Sequence, residues 1–395
     1  LRASFNPFAR SLLTMPVVRL RYCLAAVSML FVAPAAFAAT PSPQPPEIKA
    51  RSYILIDFRS GRVLAEKNAD APMEPASITK LMTAYAAFKA IAEKRLGLND
   101  PVTISESAWR SEGSRTFLQV GTQVAAEVLI KGMIVQSGND ATIAIAEKIG
   151  GTEAGFAQIM NTYANQVGMR NTMFENSTGL PGPQHRMSAR DIATLSRAMI
   201  AEFPEWYRWY SLREYEWNGI KQQNRNGLLG RDPSVDGIKT GHTESAGYCL
   251  ATSANRNGMR LISVVLGAES MKAREDASAA LLNYGYTFYE TVQVKKAGEV
   301  LLKPRVYKGD SEMIGAAIPR NLWVTVGRGT AASLKTSATV REPLIAPLAA
   351  TQAIGQFTVS DGDTVIARAP LLPEKSVAEG GWWSKLTDSV ALWMR

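Results

Sequence analysis

Histidine and cysteine are nearly missing from this chain, with two of each among 395 residues. Cys23 falls in a stretch that reads as a removable leader, so Cys249 is left alone and no internal disulfide can form. The fold must rest on its core. With only His185 and His242, no His-Glu-x-x-His and no cysteine cluster, a catalytic zinc site lacks ligands. Neither histidine accompanies a Gly-x-Ser-x-Gly turn, which disfavours a Ser-His-Asp hydrolase. An excess of one charge is lacking too. Four arginines precede Ala39 without any acid, and the remainder carries 40 basic against 35 acidic residues, a balance of +5. That mild excess suits an anionic membrane or wall surface, and no basic helix or aromatic–basic cluster calls for nucleic acid. No pattern calls for a cofactor or a metal.

What is present begins with a leader. Met15 to Ala38 shows Arg19 and Arg21, an apolar run, then Ala36-Phe37-Ala38. That order describes a secretory signal cleaved before Ala39, with a retained membrane anchor as the alternative. Met15 is a candidate start, and residues 1–14 then read as an upstream extension. Arg21, just before Cys23, argues against lipid attachment. Residues 39–50 form a Pro-rich leader expected to be extended.

Hydrophobic residues make up 46% of the chain and charged ones 20%, a globular composition long enough for two or more domains. "SYILIDF" and "GRVLAEK" read as strands around the turn "RSGR". "SITKLMTAYAAFKAIAEK", "EVLIKGMIVQ", "ATIAIAEKIG", "EAGFAQIMNTYANQVG" and "SARDIATLSRAMIAEF" carry helical spacing. "VDGIKT", "GYCLATSA" and "MRLISVVLG" read as strands, and a helix follows them. We expect an antiparallel sheet with a helical insertion over residues 51–290, and a small all-β domain over 291–373. Residues 374–395 form a tail.

Three polar elements stand out. Ser77 and Lys80 are three apart at the start of a helical stretch, on nearly one face. Alone, they read equally well as a capping serine and a solvated lysine. Ser137-Gly138-Asn139 breaks an apolar helical stretch, and Lys239-Thr240-Gly241 ends a strand. Ser253-Ala254-Asn255 and Lys335-Thr336-Ser337 are partial look-alikes. Only the first set gives the order Ser-x-x-Lys, Ser-x-Asn, Lys-Thr-Gly, the signature of penicillin-binding proteins and serine β-lactamases.

From about Ser52 to its end, the chain resembles the low-molecular-mass penicillin-binding proteins that are serine-type D-alanyl-D-alanine carboxypeptidases. "PASITKLMTAY", "VQSGNDA", "NRNGLL" and "VDGIKTGHTESAGYCL" carry the likeness, with the trailing β domain. Gly138 stands where class A β-lactamases more often have Asp, and no convincing Glu-x-x-x-Asn motif is present. The resemblance implies an α/β (α+β) penicillin-binding/β-lactamase-like domain that removes the terminal D-Ala from peptidoglycan stem pentapeptides and is inhibited by β-lactams. A serine β-lactamase, a murein endopeptidase and a non-catalytic wall- or penicillin-binding module are the competing readings.

The chemistry needs these residue types. Ser77 is the expected nucleophile, with helical N–H groups directed at its hydroxyl. Lys80 acts as general base only when neutral. From a reference near 10.4, half-neutrality at pH 7 costs the charged form about 4–5 kcal/mol. A charged Lys239 is expected to supply part of that, and burial the rest. Ser137 and Asn139 relay a proton and orient the substrate amide, while Thr240 and Lys239 suit its carboxylate. The resemblance places the oxyanion hole at the N–H groups of Ser77 and His242, beside Gly241. It matches Arg225 and Arg274 to arginines near the substrate carboxylate, with surface ion pairs as the alternative. His185 reads as a loop residue.

In the tail, Trp382, Leu386, Val390 and Trp393 share one face, with Ser384, Lys385, Thr387 and Asp388 largely opposite. Fourteen residues reach only about 21 Å, too short to span a bilayer core. A membrane-interface helix is expected, with docking on the protein or a partner as the alternative. The resemblance implies a periplasmic enzyme held at the outer face of the inner membrane.

Overall fold

A computed structural model describes residues 43–394. The expected extension and signal segment, and the first residues of the Pro-rich leader, lie outside the described residues. The five-stranded sheet runs, edge to edge, Val63–Lys67, Ser52–Asp57, Met259–Ala268, Gly247–Arg256, Val235–Thr243. Every neighbouring pair is antiparallel. Its central strands are continuous apolar runs because both faces are covered. Along Ser52–Asp57, Ile54 and Ile56 join the core beneath the helical block, whereas Tyr53 and Leu55 face the helix Met271–Phe288. Ile262 and Val264 alternate in the same way with Leu261 and Val265.

The helical block is built around Lys80–Ala92, whose middle is almost wholly buried. Ala126–Val135, Asn139–Gly150, Glu153–Val167 and Ala189–Glu202 pack about it. Thr152, Ser188 and Ser270 cap their helices by accepting from Gly155 N, Asp191 N and Ala273 N, each cap contributing about 1 kcal/mol. The expected antiparallel sheet with a helical block is therefore present. Two details differ. The stretch from Ser77 is not one helix: Ala76–Thr79 is a separate 3-10 turn, entered through Ala76 at φ +48°. A hairpin, Glu214–Trp217 with Ile220–Gln223, lies where no strand was expected; Asn218-Gly219, both at positive φ, closes it.

The C-terminal β domain contains a sheet ordered Val300–Leu302, Ala316–Ala317, Thr364–Pro373, Gly355–Asp361, Lys335–Val340, over its own core. A buried polar cluster ties it to the first domain. Asp57 Oδ1 accepts from Ser60 N (2.7 Å) and Ser60 Oγ (2.8 Å), and its Oδ2 accepts from Thr291 Oγ1 at 2.8 Å. Thr325 Oγ1 lies 2.6 Å from Ser60 Oγ and 2.9 Å from Thr291 Oγ1.

The terminal helix Trp382–Trp393 turns its polar side inward. Asp388 is buried and accepts from Arg305 Nη2 at 2.9 Å and Lys308 N at 2.5 Å, while Ser384 Oγ donates to Gly309 O. Trp382, Trp383, Leu386, Val390 and Trp393 are exposed, Trp393 at 87%. Among the described residues, no helix is long and apolar enough to cross a membrane.

Candidate active site

Two segments distant in sequence pack directly against the turn that carries Ser77. The strand Val235–Thr243 passes so close that a Cβ on Gly241 would lie 2.7 Å from Pro75 O and 3.2 Å from Ala76 Cβ. From the other side, the segment Ser177-Thr178-Gly179 closes in; a Cβ on Gly179, which sits at φ +86°, would overlap Ala76 O. Only glycine satisfies that backbone conformation and that approach together.

Lys80 is 1% exposed at the start of the buried helix. Its Nζ donates to Ser77 Oγ at 2.9 Å and to Thr178 O at 2.7 Å. Burial, then the positive charge of Arg225, bring its pKa down to about 7, against partial opposition from Glu153 and Asp140. A neutral amine can keep its donor bond to Thr178 O while presenting a lone pair to the Ser77 hydroxyl. The serine thus caps nothing, and its oxygen is committed to the lysine.

Ser137 and Asn139 are buried between two helices, with Ser137 held at φ +68°. Asn139 Nδ2 donates to Glu112 O at 2.5 Å, and its backbone N–H to Ser114 O at 2.6 Å. Asp140 anchors the same loop by accepting from Thr116 N and Leu118 N. Two buried oxygens, Ser137 Oγ and Asn139 Oδ1, have no hydrogen-bond partner among the described residues. Such orphans are costly unless something else bonds to them, and a substrate amide is a suitable donor for the asparagine oxygen.

Lys239 is buried on the strand, donating to Thr240 O at 3.1 Å, with Thr240 buried beside it. Burial pushes its pKa well down, and Lys80, Arg225 and Arg274 add to the effect. Beside burial, Arg225 is the cation that acts on Lys80 here, and Lys80 and Lys239 are coupled, since each charge disfavours the other.

His242 is exposed, its ring 4.0 Å from that of Tyr248. Arg225 is exposed and makes no ion pair among the described residues. Arg274 lies behind the strand, with Nη1 donating to Gly241 O and Cys249 O and Nη2 to Arg225 O, at 3.3–3.5 Å. It is buried and bonded only to carbonyls, so it fixes the strand and the Arg225 loop from beneath.

A match to the family model described as D-alanyl-D-alanine carboxypeptidase spans residues 39–270, and one to the penicillin-binding protein 5 C-terminal domain spans 289–379. The chain belongs to the D-alanyl-D-alanine carboxypeptidase family. It is 40% identical to D-alanyl-D-alanine carboxypeptidase DacD of Escherichia coli K12, over 93% of this chain and 98% of that protein. It is 41% identical to DacC of the same organism, over 94% and 96%. The crystal structure of penicillin-binding protein 5 from Haemophilus influenzae superposes with a TM-score of 0.83 at 40% identity, covering 85% of this chain and all of that one. This carboxypeptidase is thus a serine-type hydrolase with a penicillin-binding domain and a C-terminal β domain.

The carboxypeptidase fold also reveals supports that the sequence did not. His185 is a loop residue, but it is buried behind the nucleophile turn. Its Nδ1 accepts from Glu175 N at 3.1 Å, so Nε2 carries the proton and donates to Thr79 Oγ1 at 2.8 Å. Burial lowers its pKa to about 4 and keeps it neutral. Glu153 accepts from Ser177 N and Oγ, and Thr83 Oγ1 donates to Ser177 O, fixing the segment that carries Thr178 O. A glycine after Ser177-Thr178 was the available signal; a ligand for Lys80 at a distance of 98 residues had none.

Proposed function

We propose that this carboxypeptidase releases the terminal D-Ala of peptidoglycan stem peptides through an acyl-enzyme on Ser77, with Lys80 as general base. The observation that carries the reading is the 2.9 Å contact between Ser77 Oγ and a buried Lys80 whose pKa is lowered to about 7. Lys80 takes the hydroxyl proton as Oγ attacks the carbonyl of the penultimate D-Ala. The backbone N–H groups of Ser77 and His242 are the donors proposed for the developing oxyanion, and the close approach of Gly241 to the Ser77 turn supports that reading. Ser137 passes a proton to the departing amine, and Asn139 Oδ1 accepts from the substrate amide. Water then hydrolyses the acyl-enzyme and restores Ser77.

Lys239, Thr240 and the exposed Arg225 suit the substrate's terminal carboxylate. An arriving carboxylate favours the charged form of Lys239, which in turn disfavours the charged form of Lys80. β-Lactams, which carry a carboxylate beside a reactive carbonyl, engage the same groups. The basic-apolar-small leader supports export to the periplasm, and the outward apolar face of Trp382–Trp393 supports attachment to the outer face of the inner membrane.

Peptide mapping after penicillin treatment tests the centre of this reading. The adduct is expected on Ser77, and Ser77→Ala removes both adduct and D-Ala release. Lys80→Arg is expected to be nearly inactive because a guanidinium stays protonated. An adduct on Ser137, or turnover by Lys80→Arg, overturns it.

A further inference from the structure

A large cavity lies away from the nucleophile, where the β domain meets the sheet edge and the helix Ala189–Glu202. Its volume is about 960 Å³, within the range that holds a drug-sized ligand. The lining is mixed: Tyr85 and Trp323 are aromatic, Gln166 and Asn321 carry amides, and four cations face one carboxylate. Two of the cations are already used. Lys89 pairs with that carboxylate, Glu202, and Arg190 pairs with Glu66 and Asp70.

The other two have no carboxylate within ion-pair distance among the described residues. Arg59 is exposed, its guanidinium 3.8 Å above the Trp323 ring. Arg197 is partly buried: Nε donates to Phe58 O at 2.6 Å and Nη2 to Arg59 O at 3.0 Å, while Nη1 lies against Gly61 with no acceptor. Asp57 is the acid whose charge reaches Arg197, but its oxygens are taken by Ser60 and Thr291. A guanidinium has five donors and matches an oxyanion in a bidentate fork. The exposed Arg59 and the Nη1 of Arg197 thus keep donors available to an oxyanion in the cavity.

We infer that this interdomain cavity is a second binding site, for an amphiphilic ligand bearing an oxyanion, held by Arg197 and by Arg59, whose guanidinium is seated on the Trp323 ring. The aromatic and amide lining suits a sugar or peptide body, and the two arginines suit its carboxylate. A carboxylate-bearing wall glycopeptide is the occupant the lining favours; naming that source rests on the carboxypeptidase reading, whereas the oxyanion chemistry does not. A filled site also bridges the two domains, since Arg59 and Arg197 belong to one and Trp323 and Asn321 to the other.

Calorimetry on the full chain, with Ser77 first blocked by penicillin so that the catalytic cleft takes no probe, tests the site. The probes are a soluble muramyl peptide with a free carboxylate and inorganic pyrophosphate. The muramyl peptide is expected to bind with a dissociation constant below about 1 mM, and Arg59→Gln to weaken it about tenfold. Arg197→Gln is expected to do the same, and Arg59→Gln serves alone if that variant folds poorly. Both variants keep wild-type cleavage of a short D-Ala-D-Ala peptide, and that assay on unblocked enzyme separates failure of this site from failure of the carboxypeptidase reading. Binding of pyrophosphate alone, lost in Arg59→Gln, retains the oxyanion site and overturns the glycopeptide as occupant. Binding of neither probe, or binding indifferent to Arg59→Gln, overturns the site.

Discussion

Replacing Arg225 by glutamine separates the two causes that neutralise the base. Lys80 titrates at about 7 instead of its ordinary 10.5, which disfavours its charged form by about 5 kcal/mol at 1.36 kcal/mol per pKa unit. Burial is the larger cause and survives the substitution, because the lysine stays 1% exposed on its helix. Arg225 is exposed, so its field is screened. A solvent-screened charge of this kind contributes at most about 1 kcal/mol. The rising limb of kcat/KM for a short D-Ala-D-Ala peptide reports the free enzyme. It is expected near pH 7 in the wild type and up to roughly 0.7 units higher in Arg225→Gln. Salt supplies an internal control: raising ionic strength moves the wild-type limb upward, whereas the variant's barely moves. A limb that ignores both the substitution and salt would refute the role of Arg225. A wild type without a limb between pH 6 and 8 would refute Lys80 as the base.

Three further outcomes are expected. His185 is neutral when folded, with a pKa of about 4 against an ordinary 6.5; its stabilising effect is complete above pH 6.5 and falls away towards pH 4, by about 3 kcal/mol, and denaturant unfolding of wild type against His185→Gln across that window measures the difference. Gly179→Ala puts a Cβ on Ala76 O at a positive φ, so penicillin acylation, followed by stopped flow, is expected to slow by at least tenfold, an assay that fails the reasoning if the rate is unchanged. Truncation before Gly380 is expected to leave short-peptide cleavage intact, and Trp382→Glu with Trp393→Glu to abolish vesicle co-sedimentation, since both rings are exposed; co-sedimentation of the truncated chain would contradict the anchor.

The sequence was most legible where one local rule decided. Strands buried on both faces announced themselves as apolar runs, and the motif around Ser77 was visible because a lysine one turn away is a local relation. Contacts between distant segments were not legible. Thr178 O, which holds Lys80, and His185, which holds Thr79, reach the site across about a hundred residues, and ordinary loop composition surrounds both. The part Arg225 plays beside Lys80 was also hidden, because it depends on which cations the fold brings near the buried base. The hairpin at Asn218-Gly219 is a different case: its turn signal was present, but its strands are four residues each and bury only Tyr215 and Gln222.

The fit of Gly179 and Gly241 against the nucleophile's turn bears on how such an enzyme can evolve. Backbone touches backbone on both sides of Ser77, so no single substitution at either glycine reshapes the inner cleft gradually; the added carbon displaces the turn itself. Selection for a new substrate or for drug evasion is therefore channelled outward, to exposed side chains in the flanking segments. Phe117, at φ +64° in the loop bonded to Asn139 and Asp140, Leu180 beside Gly179, and Arg225 and His242 can all vary without moving the turn. The interior is conservative by geometry, and the rim is where variants can be tolerated.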